Sequence, residues 1–252
     1  MTPRHSDRVQ RSFSRSFDSY HGAADQQVWV AEHLVAALRD AEAPGYFARA
    51  FEFGCGTGHL TRALMESITF DRLTLNDLMP EARATAEAHG AEFLPGDAEA
   101  LTWPTPLDLV VSASTIQWLE NPERILRKAA TQLAPGGWLA VSGFGPDQYR
   151  ELSRLGSKAR APGLCTPEAL AKAVSGALDV VATGEVLRQQ LFPTPLDVLR
   201  HLRHTGVNAR AQGAWSKSRL ARFIADYDRA FGTEDGVSLT YHPVWIVAHK
   251  PA

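Results

Sequence analysis

Phe51-Glu52-Phe53-Gly54-Cys55-Gly56-Thr57-Gly58 is the stretch on which the fold turns. Apolar residues lead into it (Ala48, Ala50, Phe51, Phe53), as a buried strand requires. His59-Leu60-Thr61-Arg62-Ala63-Leu64-Met65 after it reads as the start of a helix. Strand, glycine turn, helix is the opening of a nucleotide-binding α/β unit. Glycine serves there because the backbone must turn sharply and approach a ligand with no Cβ in the way.

The spacing argues against a dinucleotide. A pyrophosphate-binding turn is written G-x-G-x-x-G and sets the phosphates on the helix N-terminus. Here Gly54, Gly56 and Gly58 are spaced G-x-G-x-G, and Glu52 stands two positions before the first of them. A carboxylate so close to the loop repels a pyrophosphate and attracts a ligand with positive charge. S-adenosylmethionine is such a ligand, with a sulfonium, an ammonium and no phosphate. The stretch resembles motif I of the class I S-adenosylmethionine-dependent methyltransferases, (D/E)-x-G-x-G-x-G. A glycine-rich turn with no ligand is the plainer alternative, so the residues downstream decide.

They continue in a βαβ rhythm. Strands are expected at about 48–53, at Leu73–Asn76 ending on Asp77, at Ala91–Leu94, at Asp108–Ser112 and at Trp138–Ser142. Helices are expected from Pro80, where proline suits a first turn, and from Pro122 to Leu133. This alternation predicts a parallel, doubly wound sheet. Residues 149–176 read as helical with a loop at Ala161-Pro162-Gly163, Val180–Leu191 as one long strand, and 244–248 as the last strand. Helices at 195–205 and 216–231 lie between those two strands, and 195–235 is expected to be a small insertion within a single domain of 1–252. Ahead of the first strand, Val9, Phe13 and Phe17 mark one amphipathic helix and Val28, Ala31, Leu34, Val35 and Leu38 a second, so that 1–43 forms a helical cap.

Composition bounds the function. A chain of 252 residues with 44% hydrophobic content can bury a core without staples. A net charge of −2 argues against a nucleic-acid binder driven by bulk charge. The two cysteines, Cys55 and Cys165, form no CxxC pair, so neither a disulfide framework nor a metal site is indicated. The N-terminus is polar and arginine-rich, and no stretch is apolar enough to span a membrane, so a cytoplasmic protein, here expected to be a monomer, is the default.

Asp77, at the end of the second strand, is placed to hydrogen-bond ribose hydroxyls, the bland alternative being an N-cap for the Pro80 helix. Leu78 and Met79 would then flank the adenine. Asp97, in Gly96-Asp97-Ala98-Glu99, resembles the acid that accepts from the adenine amino group, with the Ala98 amide completing that edge; a turn aspartate is the alternative. Glu52, Asp77 and Asp97 end three successive strands and so share the edge at which open α/β sheets bind ligands. Ser112 ends the fourth strand at the same edge. The segment Ser112–Trp118 lacks the N/D-P-P-Y pattern of amino-methylating relatives, which favours an oxygen nucleophile. His201 and His204 lie three apart on a helix without a carboxylate or cysteine at matching spacing, so surface or lining histidines are expected rather than metal ligands; His242, before the last strand, is placed to line the pocket.

The resemblance narrows further. Phe13–Tyr20, Ile116-Gln117-Trp118, Leu133–Gly137, Val198–Ala209 with its Leu-x-x-Thr-Gly-x-Asn, and Leu239-Thr240-Tyr241-His242 together resemble the malonyl-[acyl-carrier protein] O-methyltransferases of biotin synthesis, over nearly the whole chain. Arg203 stands where relatives often carry lysine, which keeps charge and changes hydrogen-bond geometry. The resemblance implies a Rossmann-like class I fold with a mostly parallel seven-stranded sheet and helices on both faces. It implies methyl transfer from S-adenosylmethionine, leaving S-adenosylhomocysteine, to the free carboxylate of a malonyl thioester on carrier protein or coenzyme A. The methyl ester would prime pimeloyl synthesis. Tyr20, Arg203 and Tyr241 are the candidates for binding that carboxylate, and Arg200, Arg203, Arg210, Lys217, Arg219 and Arg222 for receiving an acidic carrier. A trans-aconitate-type methyltransferase, an NAD-dependent oxidoreductase and a non-catalytic binding partner are the competing readings. The Leu-x-x-Thr-Gly-x-Asn and Leu-Thr-Tyr segments stand against the first, Glu52 and the glycine spacing against the second, and intact Asp77 and Asp97 against the third.

Overall fold

The structure is a computed structural model and describes residues 25–204 and 216–252. The expected first helix, Tyr20, Arg210 and the Thr-Gly-x-Asn part of the 198–209 segment lie outside the described residues. The chain divides into two compact units. The larger takes residues 25–145, 162–185 and 243–252. The described part of the smaller takes 146–161, 186–204 and 216–242.

In the larger unit a helix, α1 (Asp25–Asp40), precedes β1 (Tyr46–Phe53), α2 (His59–Met65), β2 (Thr69–Asp77), α3 (Arg83–Ala88), β3 (Glu92–Pro95), β4 (Leu107–Ser112), α4 (Pro122–Gln132) and β5 (Leu133–Phe144). Beyond the excursion into the smaller unit at α5 (Arg150–Arg154) come α6 (Pro167–Val174) and β6 (Asp179–Glu185). The seven-stranded sheet has the order β3-β2-β1-β4-β5-β10-β6, where β10 is Pro243–His249. The pairs β2–β3, β1–β2, β1–β4 and β4–β5 are parallel; β10 is antiparallel to both β5 and β6. The expected mostly parallel seven-stranded sheet is therefore present. From β1 the chain moves outward through β2 and β3, then returns to β4 on the other side. The crevice beyond the ends of β1 and β4 is the switch point at which such sheets bind ligands.

The strands are apolar because both faces are covered. Phe51 and Phe53 of β1, Leu107 and Val110 of β4, and Leu139 and Val141 of β5 pack with Ile125, Leu126 and Ala129 of α4 and Leu170 and Val174 of α6. α1 is held by buried Val30, Leu34, Val35 and Leu38 and packs on α2, β5 and β10. The second of the expected cap helices thus forms part of a layer on the sheet.

In the smaller unit, β7 (Arg188–Phe192), β8 (Gly232–Thr233) and β9 (Gly236–Tyr241) form a three-stranded sheet in the order β7-β9-β8, antiparallel throughout, with α5, α7 (Pro195–His204) and α8 (Lys217–Phe231). Tyr227 of α8 is buried and its hydroxyl donates to the Ser238 carbonyl at 2.8 Å. Two expectations need correction. Val180–Leu191 is not one strand: the chain leaves β6 after Glu185 and starts β7 at Arg188 in a different sheet. Alternation marks both halves as extended and carries no information on which partner each half pairs with. Residues 149–176 hold two helices, α5 and α6, on either side of the expected loop at Ala161-Pro162-Gly163, each shorter than expected. Helices α7 and α8 fall inside the expected insertion, and the described part of the compact unit around them reaches further, to 146–161, 186–204 and 216–242.

Candidate active site

The glycine loop is built by backbone geometry only glycine adopts easily. Gly54, Gly56 and Gly58 have φ of 71°, 50° and 84°. At Gly54 a Cβ would lie 2.2 Å from the Thr115 hydroxyl, so the turn is closed by β4's loop. At Gly56 a Cβ would meet nothing within 4 Å, which leaves open space on that side of the loop. Gly54 and Cys55 donate their amides to the Asn76 carbonyl at 2.8 and 3.0 Å, fastening the loop to the end of β2.

Glu52 is 1% exposed and accepts from the Thr61 hydroxyl, on the first turn of α2, at 2.7 Å. Burial pushes its carboxyl up to about 8; Thr61 opposes the shift and Asp77 adds to it. A cationic group beside it would restore the charged form. Asp77 is 8% exposed; one oxygen accepts from the Gly56 amide and the other from the Met79 amide, both at 2.8 Å. Burial raises its carboxyl too, against the pull of the Met79, Gly56 and Leu78 amides. The helical turn Pro80–Ala82 begins at Met79 with no side-chain cap, so Asp77 does not serve as the N-cap that was its bland alternative. Leu78 is half-buried and Met79 buried.

Asp97 accepts from the Glu99 amide at 2.9 Å. Its loop is gripped from below by Lys128 of α4, whose ammonium donates to the carbonyls of Ala98, Glu99 and Leu101 at 2.8, 3.2 and 2.5 Å and lies 4.9 Å over the Trp103 ring. Burial pulls the Lys128 ammonium down from its usual range, with Asp97 opposing. Trp103 donates its indole N–H to the Ala98 carbonyl at 2.8 Å. Lys128 carries no signal in the sequence, where a lysine on an amphipathic helix reads as solvated. Ser112, fully buried, donates to the Phe53 carbonyl at 2.7 Å and so ties the ends of β4 and β1 together.

Several buried polar atoms at this edge have no protein partner: the Thr57 hydroxyl in the glycine loop, the Ser114 hydroxyl and the Gln117 carbonyl oxygen after β4. Such atoms are expensive unless something meets them. With the open side of Gly56 and the buried acid Glu52, they fit a ligand that carries positive charge and hydrogen-bonding groups, as S-adenosylmethionine does.

The candidates for the acceptor separate. Tyr20 lies outside the described residues. Arg203 is exposed on α7, because Val198, His201 and Leu202 form the buried stripe of that helix and turn position 203 away. Tyr241, at the end of β9, is buried; its hydroxyl pairs with His201 Nε2, and its ring meets Tyr149 edge-on at 5.2 Å. Burial pushes the Tyr149 phenol up to about 12, opposed by hydrogen bonds from Tyr241 and Gln148. Among the described residues it is His201, not Arg203, that meets Tyr241. Tyr149 was missed by sequence reading; no spacing links it to residue 241. No group of three His, Cys, Asp or Glu among the described residues could hold a metal, and no described helix is long and apolar enough to cross a membrane.

Known proteins share this fold and much of this sequence. Residues 51–141 match a family described as "Methyltransferase domain". Among solved structures, the N-methyltransferase NodS of Bradyrhizobium japonicum in complex with S-adenosyl-L-homocysteine superposes with a TM-score of 0.60 at 17% identity, covering 97% of this chain and 99% of that one. The YcgJ protein of Bacillus subtilis gives 0.61 at 16% identity, over 87% of this chain and 98% of that one. A malonyl-[acyl-carrier protein] O-methyltransferase of Prosthecochloris aestuarii is 40% identical over 96% of this chain and 92% of its own length. One of Bacteroides fragilis is 35% identical over 96% of this chain, which spans 50% of that protein. The chain therefore belongs to the malonyl-[acyl-carrier protein] O-methyltransferase family, within the S-adenosylmethionine-dependent methyltransferases.

Proposed function

We propose that the protein methylates the free carboxylate of a malonyl thioester, on carrier protein or coenzyme A, and yields the methyl ester that primes pimeloyl synthesis for biotin. The observation that carries this is the extent of the family likeness: it runs over 96% of the chain, and so through the smaller unit as well as the cofactor loops. In this reading the protein works as a cytoplasmic monomer.

The chemistry asks little of the protein beyond placement. Bound S-adenosylmethionine supplies an electrophilic methyl group and a neutral thioether leaving group. A malonyl carboxylate is ionised at neutral pH, so no general base is needed. Gly54, Gly56 and Gly58 leave room for the ligand, Glu52 faces its positive charge, Asp77 accepts from ribose hydroxyls, Leu78 and Met79 flank the adenine, and Asp97 and the Ala98 amide bind its edge. Ser112 holds the loop ends in register. Tyr241, with Tyr20, binds the acceptor and excludes water, so that catalysis reduces to orientation; Arg203, turned outward, is left to the docking surface.

An acidic carrier would dock on the exposed basic residues Lys217, Arg219 and Arg222 of α8, with Arg203 of α7. Arg200 contributes less, since it is engaged with Asp197 at 2.8 Å. Reversing two charges on α8 should raise KM for the acylated carrier and leave that for malonyl-coenzyme A less changed; equal effects on both would remove the docking role. The reaction itself is tested by mass spectrometry with S-adenosylmethionine and, in parallel, malonyl-carrier protein, malonyl-coenzyme A and trans-aconitate. One methyl gained on the malonyl thioester alone is the expected result. Methylated aconitate would transfer the protein to the small-molecule carboxylate methyltransferases.

A further inference from the structure

The turn after β4 carries a buried acceptor that the protein leaves unmatched. Gln117 is 4% exposed, and its Nε2 donates to the Ser114 carbonyl at 2.6 Å. A carbonyl oxygen only accepts, so the amide is not free to turn over, and Oε1 is fixed as the other end. Oε1 is buried and meets no protein donor. The Ser114 hydroxyl, three residues earlier, is buried and unmatched as well.

The turn is firmly seated, and all of it belongs to the larger unit. Ser114 has a φ of 55°, a left-handed conformation that a serine keeps only where its surroundings impose it. The Gly163 amide donates to the Gln117 carbonyl at 2.9 Å. A Cβ on Gly143 would lie 2.5 Å from Ile116 Cγ1, and one on Gly163 would lie 2.5 Å from the Ile116 carbonyl, so the turn is pressed between two glycines. Thr115 donates to the Gly54 carbonyl at 3.2 Å and ties the turn to the first glycine of the cofactor loop. In the strand order β3-β2-β1-β4, Asp97 and Asp77 follow the strands on one side of β1, and Gln117 follows the strand on the other.

We infer that Gln117 binds the amino-acid end of S-adenosylmethionine, its Oε1 accepting from the α-ammonium group. This rests on the placement of the nucleoside at Asp77 and Asp97 proposed above, which directs the other half of the cofactor across β1 toward β4. An ionised malonyl carboxylate only accepts, so Oε1 repels it, whereas an ammonium brings three donors. A bond from a charged donor is also stronger than one between neutral groups. The neutral amide adds no negative charge where an anionic acceptor must approach, as a carboxylate in its place would. Because the turn already holds the amide, little freedom is lost when the cofactor arrives.

Truncating the ligand separates this role from a purely structural one. Calorimetry compares S-adenosylhomocysteine with its deaminated analogue, in which hydrogen replaces the α-amino group. Gln117→Leu also cuts the tie to Ser114, but that loss weighs on both ligands alike, so the ratio of the two affinities is the readout. The preference for S-adenosylhomocysteine should fall roughly 30-fold, the loss of a hydrogen bond to a charged group. An unchanged preference, whether both affinities drop together or neither moves, would make Gln117 a structural residue and overturn the proposal. Should the variant not fold, nitrogen NMR of the wild-type protein decides. A shift of the Gln117 side-chain amide resonance with S-adenosylhomocysteine but not with the analogue supports the role, and an equal response to both, or to neither, removes it. If the wild type binds neither ligand, the cofactor placement falls and this assignment with it. If the wild type binds both and Gln117→Leu matches it, only this inference falls.

Discussion

The two units hold their polar groups in place by opposite means. In the larger, acidic and amide side chains at strand ends bind the next loop: Asp77 takes the Gly56 and Met79 amides, and Asn76 donates to the Leu94 and Gly96 carbonyls at 2.8 and 2.9 Å. In the smaller, Gln148 and Glu151 reach across to one strand end and pin Thr240–His242 from outside. A parallel sheet delivers several loops to one edge, so neighbouring loops can brace each other. The antiparallel β7-β9-β8 sheet has no such edge, and its polar cluster depends on a distant segment laid alongside it.

The contrast breaks most sharply at Asp77. Asp77→Ala orphans the buried Met79 amide and the half-buried Gly56 amide and removes the ribose acceptor. Affinity for S-adenosylhomocysteine, read by calorimetry, should fall by roughly a hundredfold. A loss of less than about tenfold would mean that the glycine loop keeps its shape without the brace.

The matching change in the smaller unit is Glu151→Ala, which leaves the Thr240 amide and hydroxyl unpaired. Removing the partner of two buried donors costs about 2–4 kcal/mol of stability, measured by urea unfolding. KM for malonyl-coenzyme A should rise with it, while S-adenosylhomocysteine binding stays at the wild-type value. A parallel fall in cofactor binding would show that the units do not divide the labour between them.

The same contrast explains what the sequence discloses. Glu52, the three glycines, Asp77 and Asp97 are legible because each sits at the end of a strand in its own short segment, and parallel topology alone gathers them. The pairing of His201 with Tyr241 spans 40 residues and that of Asp147 with His242 spans 95, and neither has a local signature. Arg203 stands out by its charge, yet helical phase turns it outward and brings His201 in. The break between β6 and β7 was hidden for a similar reason: pairing partners, not alternation, decide where a strand stops. The segments of the likeness at Phe13–Tyr20 and Thr205–Ala209 fall outside the described residues.

A smaller effect comes from the buried acid of the larger unit. Glu52 holds its proton to about 8 in the folded state, against 4.5 for an unperturbed glutamate. Between those values the folded protein binds a proton that the unfolded chain has released, so its contribution to stability is full below the lower value and is lost as pH rises through the upper one. Asp77 shifts in the same direction. Cofactor-free protein should therefore lose stability with rising pH across this range, by at most about 1.4 kcal/mol per unit for one group, and less where both acids relax. Glu52→Gln should flatten the profile in urea unfolding at a series of pH values. An unchanged slope would place the titration elsewhere.

The finest test asks whether bracing in the larger unit extends below the loops. Lys128 binds three carbonyls of the loop that carries Asp97. Lys128→Met keeps the stem under Trp103 and removes the charge, so the loop loses its donors while the core stays filled. The expected result is about a tenfold weaker Kd for S-adenosylhomocysteine, with kcat at saturation and KM for the malonyl substrate retained. That split distinguishes a positioning residue from a general stabiliser, which would depress every parameter together. If Kd does not move, the Trp103 indole bond to Ala98 suffices to hold the loop, and the brace at the strand ends is the whole device.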